Sequence, residues 1–288
     1  MFLPSKIIEE KLLKMLAEDV GQGDVSTALV VPEGSIAEAM IVARNSGVAA
    51  GIEEAKILLE SLGVKVKALV ADGDNVENGQ TLLKAFGDAR TILAAERTLL
   101  NLLSRMSGIA TMTRRLDEKL QKARLKVRVA CTRKTAPGLS YFDKKAVLVG
   151  GGETHRLHLD DMILIKNNHF AFAGDVEKTV RKARSAASFS KKIEVEVSTV
   201  EDALSAARAG ADIVMFDNFS PEQIRKACTL IKKKRLFGKT LLEASGGITE
   251  DNILEFASTG VNIVSLGEIT NSVKALDVSL DVKNTGRK

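Results

Sequence analysis

Tryptophan is absent from this 288-residue chain, tyrosine occurs once, and aromatic residues make up only 4% of it. A protein that stacks nucleic-acid bases on aromatic rings needs more of them than this. The only cysteines are Cys131 and Cys228, far apart and without metal-type spacing. They argue against both a disulfide framework and a cysteine-based metal site. Three histidines in all also argue against a zinc site of nitrogen and sulfur ligands. No apolar run approaches the length that spans a bilayer. The opening stretch MFLPSKIIEEKLLKML carries acidic residues and lacks the apolar centre and cleavage site of a signal peptide. The expectation is a cytoplasmic protein.

What is there is ordinary for a globular chain: 45% hydrophobic and 27% charged residues. The net charge is +5, which suits a polyanionic partner. Nucleic acid and a small, highly phosphorylated substrate are the two candidates, and the placement of the basic residues must decide between them.

From about Val127 a single rhythm governs the chain. Short runs rich in Val, Ile and Leu (127–130, 162–165, 193–197, 213–216, 241–244, 263–266) alternate with helical patterns such as 175–188, 200–209 and 221–233. The spacing predicts βα units on a parallel sheet. Polar or glycine residues follow every run, the arrangement of a (β/α) barrel with its site at the strand C-termini. The first hundred residues lack this rhythm. A helix at 5–17, strand-like stretches at 36–43, 64–70 and 80–86, and a helix at 52–62 predict a separate α+β domain with an antiparallel sheet. A long helical region, 88–122, joins the two. We therefore expect a first domain over 1–108, completed by a returning strand at 275–284, and a barrel over 109–274. The tail NTGRK reads as disordered.

Several constellations carry chemistry. Thr132, Arg133 and Lys134 leave the first barrel strand. Gly150-Gly151-Gly152 permits close backbone approach to a ligand, and His155 and Arg156 follow. Lys166 leaves the next strand, so several cations converge on one rim, suited to a substrate with two or three negative charges. Surface pairs such as Arg133-Lys134 are common, and only the convergence makes them notable. Glu194 and Glu196 share one face of a strand. Glu194 fits a structural ion-pair network, and Glu196, nearer the strand end, is the functional candidate with Asp217 on the next strand. These two acids suit magnesium or sugar hydroxyls. Ser245-Gly246-Gly247 and Gly267 end the last two strands, where barrels often bind phosphate through backbone N–H groups. By spacing alone, Arg97 is a surface residue pairing along its helix.

Taken together, these residues resemble the quinolinate phosphoribosyltransferase family. The matching motifs are Gly23-Asp24-Val25-Ser26-Thr27, Glu96-Arg97-Thr98-Leu99-Leu100-Asn101, Ser107-Gly108-Ile109-Ala110-Thr111, Thr132-Arg133-Lys134-Thr135 and Pro137-Gly138-Leu139. Further on come Gly150 to Gly152, His155-Arg156-Leu157, Leu164-Ile165-Lys166 with Asn168-His169, Glu194-Val195-Glu196, Asp217-Asn218, Glu243 to Ile248, and Gly267 with Thr270. The resemblance covers nearly the whole chain in order. It implies an N-terminal α+β open sandwich and an incomplete, seven-stranded α/β barrel, assembled as a homodimer or homohexamer.

The reaction implied is phosphoribosyl transfer from phosphoribosyl pyrophosphate to quinolinate with decarboxylation. It gives nicotinate mononucleotide, pyrophosphate and carbon dioxide for NAD biosynthesis, with magnesium required. Arg133, Lys134, His155, Arg156 and Lys166, beside Thr132, would bind the carboxylates and pyrophosphate. Arg97 would be donated across a subunit interface, against the reading by spacing. Glu196 and Asp217 would hold ribose hydroxyls and magnesium, directly or through water or substrate. Ser245, Gly246, Gly247 and Gly267 would cradle the 5′-phosphate, and Lys134, Lys166, Glu196 and Asp217 would be the catalytic set. Two positions depart from the family's pattern: Ser140 stands where Arg is common, and Asn167 where Asp is common. The alternatives are a paralogue associated with molybdate transport, acting on a different acceptor, and a non-enzymatic polyanion binder. The first usually departs from the Pro-Gly-Leu and Gly-Gly-Gly/His-Arg arrangement kept here, and the scarcity of aromatics counts against the second.

Overall fold

The computed structural model describes residues 3–287. The chain divides into two compact units, one over Met1–Arg114, Leu148–Gly151 and Val273–Lys288, the other over Arg115–Val147 and Gly152–Ser272. The division falls inside the long helix, a few residues beyond the expected 108/109 boundary.

The first unit begins with helix α1 (Ser5–Val20), which buries Ile8, Leu12 and Leu16 at a four-residue spacing. The Gly23-Asp24-Val25-Ser26-Thr27 motif proves to be a helix cap: the Asp24 carboxylate accepts the Thr27 N–H at 2.9 Å and starts α2 (Val25–Val30), a helix the sequence pattern did not suggest. Then follow β1 (Ser35–Ala43), β2 (Gly47–Val48), α3 (Ile52–Ser61), β3 (Lys65–Ala68), β4 (Asn75–Val76), β5 (Thr81–Asp88) and the helix α4 (Ala89–Lys122).

The second unit supplies β6 (Arg128–Cys131), α5 (Ser140–Val149), β7 (Ile163–Ile165), α6 (Asn167–Ala173), α7 (Val176–Ala186), β8 (Ile193–Val197), α8 (Val200–Ala209), β9 (Ile213–Asp217), α9 (Pro221–Lys233), β10 (Leu241–Ser245), α10 (Ile253–Ala257), β11 (Ile263–Leu266) and α11 (Glu268–Asn271). The chain returns to the first unit with β12 (Val278–Arg287).

The first unit's main sheet has the order β12-β1-β5-β3, antiparallel throughout. β12 pairs along the whole of β1, from Ala43↔Val278 to Ser35↔Arg287. The tail expected to be disordered is therefore strand as far as Arg287, and Lys288 lies outside the described residues. The pairing demands of β1 decide this, since a lone edge leaves N–H and C=O groups unpaired.

The second unit is a parallel sheet of six strands in the order β6-β11-β10-β9-β8-β7. Its strands are buried on both faces, as parallel strands under crossover helices must be. Val195, Val214, Phe216, Leu242, Ala244 and Val264 are wholly inaccessible on one face. The helices between are firmly punctuated. Ser220 and Gln223 form a capping box before Pro221, Thr199 caps α8, and Gly210 ends it in the left-handed region. A seventh strand is not among the described ones. At the free edge of β6 a single parallel bridge joins Ala130 to Glu153. No described helix is long and apolar enough to cross a membrane.

Candidate active site

Strand alternation builds the site. In the parallel register Glu196 lies opposite Met215, Met215 opposite Glu243, Asp217 opposite Ser245, and Ser245 opposite Ser265. Each set shares the inward face with residues two positions away. This face, with the segments following β6 and β7, encloses a cavity of about 320 Å³ lined by Thr132, Arg133, Lys134, His155, Arg156, Leu164, Lys166, Glu196, Met215, Asp217, Glu243, Ser245 and Ser265. A second cavity of about 360 Å³ shares Thr132, Lys134, Asp217, Ser245 and Ser265 with it. That cavity continues past Asn218, Gly246, Gly247 and Gly267. The expected site residues of the second unit are thus brought together, the cations around the first cavity and the glycines around the second.

Lys166 and Glu196 form the closest charged pair in the wall, with Nζ 2.7 Å from Oε2. Asn167, the departure from the family's Asp, donates instead to the Ser198 hydroxyl at 2.9 Å, leaving Lys166 to Glu196. The Lys134 side chain lies against Gly267, where an added Cβ would come 3.1 Å from its Cδ. Lys134 therefore stands at the junction of the two cavities. Gly246 has φ +92°, and a Cβ there would collide with Asn218, 2.9 Å from its backbone nitrogen. Only glycine fits this turn. Gly247, at φ +64°, opens onto free space.

Beneath the cations lies a buried acid–imidazole cluster. His155 Nε2 is 3.1 Å from Glu194 Oε2 and 3.4 Å from Glu243 Oε2, and both carboxylates are fully buried. Burial opposes a charge on His155, but hydrogen bonding and attraction to Glu194 and Glu243 outweigh it and push its pKa up to about 10. Burial and the nearby Glu243 raise the Glu194 carboxyl, against the pull of His155. Nδ1 meanwhile accepts the Arg156 N–H at 2.8 Å, which an imidazolium cannot do. The hydrogen bond to Nδ1 decides the ring's form: it is neutral, with its proton at Nε2 between Glu194 and Glu243.

Arg156 is buried, and that burial, then Arg133, lowers its guanidinium below the usual arginine range. The fully buried Lys144 donates to the carbonyls of Thr154 and Arg156, and its desolvation lowers its pKa.

One expectation changes. The triple glycine does not line either cavity. A Cβ on Gly150 would meet Ala110 O and Thr113 Cβ at 2.6 Å, so this glycine lets backbone pass close to α4. Arg97, expected to act across a subunit interface, is not among the lining residues of its own chain. It sits on α4 in the other unit, its side chain 64% exposed, with Glu96 4.0 Å away. Sequence reading missed Leu164, Met215, Glu243 and Ser265 as wall residues of the first cavity. Counting back two from Lys166, Asp217, Ser245 and Gly267 would have found all four.

The profile of the quinolinate phosphoribosyl transferase C-terminal domain matches residues 109–281, and that of the N-terminal domain matches 24–107. The chain belongs to the quinolinate phosphoribosyl transferase family. Among relatives in this family, it is 48% identical to the probable nicotinate-nucleotide pyrophosphorylase [carboxylating] of Methanocaldococcus jannaschii, over 94% of this chain and 95% of that one. It is 38% identical to the human nicotinate-nucleotide pyrophosphorylase [carboxylating], over 88% and 84%. Among solved structures of the family, NadC from Streptococcus pyogenes superposes with a TM-score of 0.90 at 37% identity, covering 99% of both chains. The nicotinate-nucleotide pyrophosphorylase of Francisella tularensis gives 0.89 at 37%, covering 98% of each.

Proposed function

We propose that this chain is a carboxylating nicotinate-nucleotide pyrophosphorylase. It transfers the phosphoribosyl group of phosphoribosyl pyrophosphate to quinolinate and releases pyrophosphate and carbon dioxide. The observation that carries this reading is the pair of joined cavities: one ringed by Arg133, Lys134, Arg156 and Lys166, the other walled by Gly246, Gly247 and Gly267. Enclosed cations of this kind suit a small polyanion rather than a nucleic-acid surface.

The first cavity takes the acceptor. Arg133 and Arg156 offer planar forks to its two carboxylates, and Lys166 a point charge. The second takes the ribose 5′-phosphate on the backbone of Gly246, Gly247 and Gly267 beside Ser245, free of side chains that would block approach. Lys134, between the cavities, faces the departing pyrophosphate. Glu196 and Asp217 hold the ribose hydroxyls and stabilise the positive charge that develops on the ribose as the bond to pyrophosphate breaks. The pyridine nitrogen attacks C1 of the ribose and becomes cationic. Its positive charge then stabilises the carbanion left on the neighbouring ring carbon when the carboxylate there leaves as carbon dioxide, and that carbon's electron pair takes up a proton.

The hard oxygen donors of Glu196 and Asp217, on neighbouring strand ends, fit magnesium. Bound there, magnesium would neutralise charge on the pyrophosphate.

The assembly we infer is a homodimer or homohexamer in which Arg97 reaches the acceptor cavity of the partner subunit. Its exposed guanidinium supports this, as do the exposed apolar side chains Val25, Leu29 and Val30 of α2. Glu153 is the remnant of a seventh barrel strand in this reading, and the enzyme is cytoplasmic.

An acceptor screen tests the reading. Quinolinate with phosphoribosyl pyrophosphate and magnesium gives nicotinate mononucleotide, and nicotinate gives none. Turnover of another acceptor by folded protein, with none of quinolinate, overturns it.

A further inference from the structure

The segment Thr154–Arg156 is held from several sides. His155 is a non-glycine residue in the left-handed region, φ +54°, which an L side chain adopts only when its surroundings impose it. Lys144, fully buried, donates to the carbonyls before and after it. The Thr154 hydroxyl donates to the His155 carbonyl at 2.8 Å. One ring nitrogen is hydrogen-bonded and the other is buried against carboxylates. Nδ1 accepts the Arg156 N–H at 2.8 Å. Nε2 is sealed from solvent and lies between Glu194 and Glu243. Glu243 is itself oriented by the Ser265 hydroxyl, which donates to its Oε1 at 2.6 Å. Neither nitrogen is left to donate to an anion in the cavity. That conflicts with a role for His155 as a direct ligand of the substrate.

We propose that His155 is a strut, and that Glu194 and Glu243 are positioning residues which hold its ring and through it aim the Arg156 guanidinium into the acceptor cavity. The proposal rests on the assignment of that cavity to the acceptor. Its physical basis is the cost of the arrangement. Two buried carboxylates with few hydrogen bonds stabilise a fold poorly, and replacing such groups by neutral ones is often neutral or stabilising. A group retained against stability, one residue from a buried arginine in the cavity wall, points to orientation of that arginine.

The test combines kinetics with a tautomer measurement on the whole enzyme. Glu243→Gln keeps the side-chain volume and the Ser265 hydrogen bond but removes the charge facing Nε2. It should raise the KM for quinolinate by about 10- to 100-fold, the penalty of a modestly misplaced binding group. The KM for phosphoribosyl pyrophosphate should stay within about twofold and the thermal midpoint should not fall. Glu194→Gln repeats the test should Glu243→Gln fold poorly. His155→Asn should raise the same KM, and the double variant His155→Asn/Glu243→Gln should be no worse than the poorer single one, because both act through one strut. Multiplying losses, or a quinolinate KM unmoved by both Gln variants, overturns the proposal.

Nitrogen-15 NMR of the histidines gives a readout that does not need turnover. The chain has three histidines, so His155→Asn identifies the His155 signal by its loss. The strut requires Nε2 protonated and Nδ1 bare, unchanged when quinolinate is added. A protonated Nδ1, or a ring signal that shifts because a nitrogen binds the acceptor, overturns it. Wild-type protein that shows the required tautomer but converts no quinolinate would sink the functional assignment and leave the strut geometry standing.

Discussion

Replacing Gly246 by alanine tests the donor half of the site with a single methyl group. The backbone there has φ +92°, and the new Cβ would sit 2.9 Å from the Asn218 backbone nitrogen and closer still to the Asn218 side chain. The Asn218 side chain can rotate away, but its backbone cannot: Asn218 N–H donates to Ser245 O at 2.9 Å, and Asn218 is itself left-handed at φ +58°. Forcing alanine into such a conformation costs about 1–3 kcal/mol. If that strain is relieved by opening the turn, the groups that cradle the 5′-phosphate move apart. The same 1–3 kcal/mol then appears as a loss of about 5- to 150-fold in kcat/KM for phosphoribosyl pyrophosphate. Steady-state kinetics with each substrate varied in turn would read this. The loss should fall on the donor, with the quinolinate KM within about twofold, since Gly246 lines only the second cavity. An unchanged donor kcat/KM, or an equal loss on both substrates, would refute the division of the site into two halves.

Other consequences follow from the same geometry. Lys166→Ala removes a cation from the acceptor cavity and frees Glu196, and turnover should fall by about 100-fold or more while the thermal midpoint changes little, because Lys166 is 45% exposed; normal turnover would dismiss its catalytic role. Chelation should abolish product formation and added magnesium restore it, with Asp217→Asn shifting the magnesium requirement upward; full activity in excess chelator counts against the metal.

The parts of this fold legible in the sequence are those where one physical demand dominates. β8 and β11 match the expected runs residue for residue because apolar residues recur at every second position, Ile193, Val195 and Val197 in β8 and Val264 and Leu266 in β11. α5 was invisible for the opposite reason: it buries Asp143, Lys144 and Lys145 among its apolar residues, so no amphipathic period survives. β12 outran its alternating pattern because pairing with Ser35 and Ile36, far away in sequence, keeps it extended. The triple glycine signalled close approach correctly and its object wrongly, since a missing Cβ does not say whether a helix or a ligand fills the space. In the site, charge and strand position marked Arg133, Lys134, Lys166, Glu196 and Asp217, all of which line the first cavity. The contact of His155 with Glu194 and Glu243 was not readable, because it depends on side chains from three segments meeting inside the second unit.

The central claim is that two adjoining cavities couple ribose transfer to loss of a carboxylate. Quinolinate labelled in the carboxyl group next to the pyridine nitrogen measures this directly. Incubated with phosphoribosyl pyrophosphate, magnesium and the wild-type enzyme, it should release labelled carbon dioxide and pyrophosphate in equal amounts, with unlabelled nicotinate mononucleotide accumulating alongside. Pyrophosphate without carbon dioxide, or carbon dioxide in the absence of the phosphoribosyl donor, would contradict the account.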